Sequence, residues 1–421
     1  MGANLPGDRI VPGVKVPRDL LSDPQRFGGR DDGDCLSGDL VIRNGQVVGL
    51  LPSPVPADRI VTMKLTEAHC HLDKCHTADR LVPGESLLHA IAAQEADKHR
   101  WTADDLRARA KRGLEELAAA GCGFVRTHVD CRLDPANPEA MPLAWEILGE
   151  LADEWRPRLV LQRAALFPID SFAQADATAK LAARIARDNG ALGAFVLDQP
   201  GRRDGIRAMV RAAADAGIPL DFHVDEGFGI ARDGLTIIAE TVREHGFSLP
   251  VLCGHASSLM DVSGDALTRR LDIVKEAGLA LVSLPTSNLY LQDRNGGTPD
   301  RRGLSRIREA LGHGIPVAFG SDNVRDAFVP FGTHDPVRAL FVGALAAHLD
   351  PPFGRWLACV TRFAHQGTCG SSVSIEDCLV DSLLLWPVAS TSELVSAAAG
   401  PVPLSEILRS TQGAVAFTPA V

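Results

Sequence analysis

Thr66-Glu67-Ala68-His69-Cys70-His71-Leu72-Asp73-Lys74 is the stretch from which the fold of this 421-residue chain can be inferred. An apolar run leads into it, and His69 and His71 are two positions apart at its end. Residues i and i+2 of a β-strand project from the same face, so the two imidazoles can contact one metal ion. Imidazole binds zinc, iron and similar divalent ions. Two histidines at a strand end can also be ordinary residues, so the metal hypothesis depends on further ligands along the chain.

The composition is that of a globular protein, with 45% hydrophobic and 23% charged residues. The formal net charge of −10, without a run of Lys or Arg, argues against nucleic acid or an anionic membrane surface as a partner. No signal-peptide pattern and no apolar stretch near 18 residues is found, so we expect no membrane span. Nine cysteines without a C-x-x-C motif favour reduced thiols in a cytoplasmic protein. We expect a small-molecule substrate and a homo-oligomer.

From residue 65 onward, short apolar runs alternate with longer amphipathic, alanine-rich segments. Eight such strand–helix units over about 300 residues predict an α/β fold, a closed parallel (β/α)8 barrel of the TIM type. The alternative, an open doubly wound sheet, would be favoured by a G-x-G-x-x-G motif after a strand, and none is found. The eight runs are Leu65–His71, Phe124–His128, Leu159–Leu166, Leu192–Leu197, Leu220–Val224, Val251–His255, Ala280–Leu284 and Pro316–Gly320.

The two ends of the chain are different in pattern from the middle. Residues 1–64 contain short strands and turns, including the strand, Asn-Gly turn and strand of Asp39–Gly49. Residues 366–421 return to short apolar strands such as Ser382–Trp386. We therefore predict a small β-sandwich-like domain built from both termini, 1–64 and 366–421, with the barrel at 65–365 inserted between them.

The chemistry of such a barrel lies where its strands end, and five of the eight predicted strand ends carry histidine or acidic residues. Three imidazoles and one carboxylate among them suffice for one divalent ion with a position left open for water. A bound ion lowers the pKa of that water to near 7 and so supplies hydroxide at neutral pH. The predicted ligands are His69, His71, His223 and Asp322.

Residues near these ligands are candidates for proton transfer. Glu226 follows His223 by three residues, beyond the strand end, so it can move protons beside the ion without binding it. The alternative is a solvated loop carboxylate. His255 is either part of the site or a satisfied core histidine. His128 is interpreted as a non-ligand because a fourth imidazole is not required, and His76 as a surface residue.

Together these motifs resemble the amidohydrolase superfamily, and within it the cytosine deaminase-like branch. Strand four contains no lysine, whereas barrels with two bridged metals often use a carboxylated lysine there, so a single ion is expected. The stretch Ser321–Asp326 also resembles N-isopropylammelide isopropylaminohydrolases. The matching stretches lie in order along the chain: His69–Asp73, Val125–Asp130, Asp221–Glu226, Gly254-His255, Asn288–Gln292, Arg301–Gly303, Gly320–Val324 and Pro330–Thr333.

The resemblance implies that the predicted ligands bind one zinc or iron(II) ion and that Asp322 also takes a proton from the bound water. It implies that Glu226 protonates the ring nitrogen of the substrate and that His255 orients the attacking hydroxide. The implied reaction is deamination of a small nitrogen heterocycle. Two alternatives stay open: hydrolysis of an amide or of an N-alkylamino heterocycle by the same site, and a non-catalytic structural member of the family.

The chain departs from the cytosine deaminase pattern at three places. Those enzymes have a glutamine after the Phe-Pro that ends strand three, where this chain has Ile169, which cannot hydrogen-bond to a substrate amide. Asn323 stands where an aspartate is usual, and Phe328 where a tryptophan is usual. With Asp326, these residues are the predicted substrate-binding set, and we expect a substrate other than cytosine.

Overall fold

The chain forms two β-sheets, one from the barrel region and one from the termini. The structure, a computed structural model, describes residues 8–83, 85–229, 232–294, 297–362 and 374–410. The strands in these ranges are β1 Asp8–Pro17, β2 Arg30–Asp32, β3 Cys35–Arg43, β4 Gln46–Leu51, β5 Arg59–Met63, β6 Leu65–Cys70, β7 Cys122–Asp130, β8 Val160–Pro168, β9 Ala191–Val196, β10 Leu220–Val224, β11 Val251–His255, β12 Ala280–Ser283, β13 Val317–Phe319, β14 Leu383–Trp386 and β15 Val402–Pro403.

Helices connect the barrel strands, and local sequence signals set several of their ends. Thr102 begins the first long helix by accepting a hydrogen bond from the Asp105 backbone N–H, and Gly121 ends it with a φ of +94°. The helices are α1 Pro24–Phe27, α2 Leu87–Asp97, α3 Ala103–Ala120, α4 Leu143–Trp155, α5 Ala175–Arg187, α6 Arg202–Ala216, α7 Gly234–Glu244, α8 Gly264–Glu276, α9 Pro285–Leu291, α10 Ile307–Gly312, α11 Pro336–Ala347, α12 Gly354–Thr361, α13 Thr391–Val395 and α14 Leu404–Ser410.

Strands β6 to β13 are the predicted barrel, and the prediction of a (β/α)8 fold is confirmed. Each of the eight apolar runs overlaps one of these strands, and each strand pairs in parallel with the next in the chain. The end of the first strand meets the segment just after the last strand through a parallel bridge between Cys70 and Asp322. This contact lies at the carboxyl ends of the strands, so barrel closure and the predicted site share residues.

The second sheet contains strands from both ends of the chain, as predicted. Strand β1 pairs antiparallel with β3 and parallel with β5, and β14 from the far end pairs antiparallel with β5. The predicted hairpin of Asp39–Gly49 is β3–β4, which turns at Asn44 and Gly45, both with positive φ. The boundary predicted at residue 365, and the predicted segments 1–7, 366–373 and 411–421, lie outside the described residues. Among the described helices, none has the length and apolarity needed to cross a membrane.

Candidate active site

The four predicted ligands converge at the carboxyl end of the barrel, and we call them the ligand cluster. His69 lies near the end of β6 and His71 just beyond it, while His223 lies near the end of β10. The Oδ1 atom of Asp322 is 3.2 Å from Nε2 of His71 and 3.4 Å from Nε2 of His69. The imidazole centroids of His69 and His223 are 4.3 Å apart. All four residues are buried.

Backbone contacts between β6 and the segment after β13 hold the ligand cluster together. The Asp322 N–H donates to the His69 carbonyl over 2.9 Å, and Asp322 adopts a left-handed φ of +56°. Such a conformation costs a non-glycine residue about 1–3 kcal/mol, which is typical of functional sites. Gly320 permits the close approach, because a Cβ atom there would lie 2.8 Å from the His69 carbonyl oxygen.

The donor atoms of this cluster fit a divalent cation. Both ring nitrogens of His69, Nε2 of His223 and both carboxylate oxygens of Asp322 are buried, and none has a directed hydrogen bond to the described residues. Buried polar atoms are ordinarily hydrogen-bonded, so converging atoms of this kind indicate a missing partner that all of them can share. Three imidazoles and one carboxylate suit zinc or iron(II).

The electrostatics of the cluster favour the protonation states that bind metal. Burial, together with neighbouring His128, lowers the pKa of His69 to about 4. Burial and the surrounding imidazoles likewise hold the pKa of His223 well below its usual range. Burial alone would raise the pKa of Asp322, but its contacts with His69 and His71 outweigh this and keep it low. Neutral imidazoles and an ionised carboxylate are the forms that ligate a cation.

Glu226 and His255 lie beside the ligand cluster. The Nδ1 atom of His255 is 3.6 Å from Oε1 of Glu226 and 3.1 Å from Nδ2 of Asn288, while its Nε2 is 3.3 Å from Nδ1 of His223. Burial raises the pKa of the Glu226 carboxyl, with Asp322 adding to the effect. Glu226 therefore tends to hold a proton beside the cluster, whereas the other predicted acid, Asp322, tends to be ionised.

His128 belongs to this group of side chains, although sequence reasoning set it aside. Its ring centroid is 4.0 Å from that of His69, and its Nε2 is 3.0 Å from Oδ1 of Asp221. Arg126 also contacts Asp221, over 2.8 Å. One ligand atom from each of His69, His71, His128 and His223 can be chosen so that all lie within 4.8 Å of one another. The signal available in the sequence was the alternation of side chains along a strand. It places Arg126 and His128 on one face of β7, and Asp221 and His223 on one face of β10.

A cavity of about 200 Å³ opens beside the cluster. Glu226, His255 and Asp322 line it, so the predicted catalytic residues share one space with the ligand cluster. The loop after β6 and helix α2 contribute Lys74 and Gln94 to the lining, and neither was predicted to be part of the site. A small ring-shaped molecule can therefore contact the catalytic groups and these two donor side chains together.

The four predicted substrate-binding residues divide into two pairs. Asn323 and Phe328 line the cavity. Asp326 does not line it and instead accepts hydrogen bonds from the Asn323 amide over 2.6 Å and from the backbone N–H groups of Phe328 and Val329. Ile169 is fully buried and is not among the lining residues. The structure thus brings two of the four to the cavity, and a substrate contact for the other two stays a prediction.

A second cluster of potential ligands lies outside the cavity lining: His76, Glu116 and His334. The side chain of His76 is 3% exposed, so the interpretation of His76 as a surface residue was wrong. The Glu116 carboxylate accepts hydrogen bonds from the His334 backbone N–H and from Nδ1 of the His334 ring, over 3.2 and 3.1 Å. Arg325 contacts the other oxygen of Glu116 over 3.4 Å.

Known proteins share both the sequence pattern and the fold. The chain is 33% identical over 340 residues to a pterin deaminase of Rhizobium rhizogenes, covering 77% of this chain and 76% of that one. It is 23% identical over 317 residues to an N-isopropylammelide isopropyl amidohydrolase of Pseudomonas sp., covering 72% and 74% of the two chains. A crystal structure of 5-methylcytosine deaminase from Klebsiella pneumoniae matches with a TM-score of 0.74 and 21% identity, over 94% of this chain and 96% of that one.

The resemblance inferred from the motifs is confirmed by the family comparison. The sequence profile of the amidohydrolase family matches residues 65–364, which is the whole barrel region. The 33% identity to a relative over more than three quarters of this chain agrees with that match. The chain therefore belongs to the amidohydrolase family and is a hydrolase of carbon–nitrogen bonds.

Proposed function

We propose that this protein deaminates a small amino-substituted nitrogen heterocycle and depends on one zinc or iron(II) ion held by the ligand cluster. The observation that carries the proposal is a single cavity that contains Asp322, Glu226 and His255 beside converging buried donor atoms. The similarity to a pterin deaminase supports a heterocycle of the pterin type.

The ion, when bound, lowers the pKa of a water molecule and so makes it a nucleophile near neutral pH. Asp322, ionised by its contacts with the histidines, accepts the proton that this water loses. Burial raises the pKa of the Glu226 carboxyl, and in the protonated form Glu226 donates its proton to the ring nitrogen. The proton that Asp322 accepted passes to the departing amine, and the new hydroxyl returns a proton to Glu226 as the ring carbonyl forms. The ring carbon gains oxygen, loses its amino group and releases ammonia.

His255 positions the attacking oxygen in this proposal. The ring lies between Glu226, Asn288 and His223, so its orientation is fixed from three sides. Burial lowers the pKa of His255, which keeps its imidazole neutral and able to accept a hydrogen bond. Asn288 acts through His255 and is therefore a positioning residue.

A second candidate reaction is removal of an alkylamino group, because the chain is 23% identical to an N-isopropylammelide isopropyl amidohydrolase. The same residues would protonate the departing nitrogen, and an alkylamine would replace ammonia as the product. A panel containing pterin, cytosine and N-isopropylammelide separates the two reactions by the amine released.

We also propose a cytoplasmic location, since all eight cysteines among the described residues are free and buried. A homo-oligomer, and the absence of nucleic-acid or membrane partners, are kept as predictions from the sequence.

The role of Glu226 provides the direct test. Glu226→Gln removes the transferable proton while keeping the size of the side chain, so we expect ammonia release to fall by about 10²–10⁴-fold. Metal content, measured by elemental analysis, should stay at the wild-type level. Glu240→Gln on the outer helix α7 is the matched control, because its partner is the surface residue Arg203. Turnover in Glu226→Gln near the wild-type rate would overturn the assignment.

A further inference from the structure

Two buried donor side chains line the cavity and take no part in the proposed chemistry. Lys74 follows the metal-binding end of β6, and its side chain is 4% exposed. Gln94 lies on α2, which joins β6 to the first long helix, and it is 1% exposed. Lysine and glutamine are rarely buried without partners, so the acceptors of their N–H groups need to be identified.

The Lys74 ammonium has more donor protons than hydrogen bonds within the described residues. Its Nζ donates to Oδ1 of Asp130 over 2.6 Å, and this is its one hydrogen bond within the described residues. An ammonium group carries three donor protons. Burial alone would lower the pKa of Lys74, but the carboxylates of Asp130 and Asp73 outweigh burial and hold that pKa above its usual range. Lys74 is therefore charged at neutral pH, and its ammonium lies 5.3 Å from the centroid of the Phe328 ring in the cavity lining.

Gln94 has an amide donor without an acceptor. Its Oε1 accepts a hydrogen bond from the Ala327 backbone N–H over 3.4 Å, and this contact sets which end of the amide is oxygen. Its Nε2 is buried and makes no hydrogen bond to the described residues. Leaving a buried amide donor unpaired is unfavourable, so a ligand oxygen is a suitable acceptor for it.

The other polar groups nearby have partners within the protein. The Asn323 amide donates to Asp326 over 2.6 Å. The Asp130 carboxylate contacts Lys74 through one oxygen and Lys98 through the other, over 3.4 Å. Lys98 and Arg132 also line the cavity, but both pair with Glu95, over 2.8 and 2.6 Å. Beyond these and the catalytic groups, the lining offers a ligand the N–H donors of Lys74 and Gln94, and their chemical complement is an oxygen acceptor.

We propose that Lys74 and Gln94 determine substrate specificity by donating hydrogen bonds to an oxo oxygen of the substrate ring. The inference rests on the proposed function and narrows it: the substrate is an amino heterocycle that also carries a ring carbonyl. Rings that lack the carbonyl leave both donors unpaired, and the enzyme discriminates against them for that reason.

The test compares pterin with 2-aminopteridine, which lacks the oxo group, by measuring ammonia release. Wild-type enzyme should prefer pterin in kcat/KM. In Lys74→Met and in Gln94→Leu, kcat/KM for pterin should fall on the order of tenfold to a hundredfold, while kcat/KM for 2-aminopteridine changes little. Lys111→Met is the matched control, since it removes an exposed ammonium on α3 whose partner is the surface residue Glu154, and it should leave the ratio of the two kcat/KM values unchanged.

Binding of lumazine, the dioxo product of pterin deamination, gives a readout that does not require turnover. Isothermal titration should give a Kd about tenfold or more higher in Lys74→Met and in Gln94→Leu than in wild type and Lys111→Met. If wild type deaminates both rings and all variants keep its selectivity, the specificity inference is overturned and the proposed function stands. Equal Kd values across the four proteins, or no lumazine binding by wild type, overturn the inference whether or not ammonia is released.

Discussion

The ligand cluster and the second cluster contain the same kinds of side chain, yet their carboxylates are placed differently. In the second cluster, the Glu116 carboxylate accepts two hydrogen bonds from His334 and contacts Arg325. In the ligand cluster, both carboxylate oxygens of Asp322 are buried without a directed hydrogen bond to the described residues. Histidines near an acidic residue are therefore weak evidence for a metal site. The better criterion is whether the protein's own groups already hydrogen-bond to the carboxylate.

The glutamates near the two clusters also differ in charge state. Burial would raise the pKa of Glu116, but its hydrogen bonds with His334 outweigh burial and lower that pKa to about 2. Glu226 is more deeply buried and has fewer compensating contacts, so its pKa is raised. Glu116 thus serves as a fixed negative charge that ties α3 to the loops, whereas Glu226 can carry a proton to a substrate.

The largest expected difference between the clusters is in metal binding. His69→Ala should empty the site and lower ammonia release by about a thousandfold or more, because the water is then no longer activated. His334→Ala makes the same substitution, histidine to alanine, in the second cluster. This variant should still bind one ion per chain. Elemental analysis and the ammonia assay measure both. Two ions in wild type, with one lost in His334→Ala, would show that the second cluster also binds metal.

A smaller effect on metal binding is expected for a substitution of His128 than for a substitution of the predicted ligands beside it. If Asp221 holds His128 as a support for the His69 ring, His128→Gln should weaken metal affinity by about 10–100-fold while leaving the site able to fill. Competition with a chelator gives the affinity. Loss of metal as complete as in His69→Ala would instead make His128 a ligand.

The smallest effect concerns stability through Glu116. The folded-state pKa of Glu116, about 2, is below its ordinary value of 4.5, so its ionised form stabilises the fold above pH 4.5 and this contribution is lost as the pH falls toward 2. Because Glu116 is partly exposed, Glu116→Gln should lower the free energy of unfolding at pH 7 by only about 1 kcal/mol. Urea unfolding should find a smaller difference at pH 3.5 than at pH 7. A difference that is constant with pH would contradict the assigned role.

The sequence was informative wherever function follows from position along one strand. The convergence of His69, His71 and His223 could be predicted because barrel strands end at one face and each apolar run has a clear end. The contact between Asp221 and His128 could not be predicted, since β7 and β10 are separated by two other strands of the sheet. Side-chain pairs across a barrel depend on closure and shear, which no local pattern records.

Loops were harder to predict than strands, for a related reason. The His76 side chain is shielded from solvent because its segment hydrogen-bonds to the backbone of the loop after β13, through the His76 N–H to the Val324 carbonyl and the Thr77 N–H to the Arg325 carbonyl. Gln94 reaches the cavity only because α2 lies beside its opening. Ile169 was expected in the pocket from its place after β8, but the chain enters a short 3-10 helix there and the side chain is buried. These placements arise from tertiary packing between distant segments.

Closure of the barrel at Cys70 and Asp322 has a consequence for how the enzyme would be inactivated. Strand β13 is only three residues long, and the ligands lie on both sides of the junction that it forms with β6. An ion bound there would link the first and last strands of the barrel, so its binding free energy would also contribute to the free energy of folding. Chelating agents should then inactivate the enzyme and lower its melting temperature through the same event, the loss of the ion.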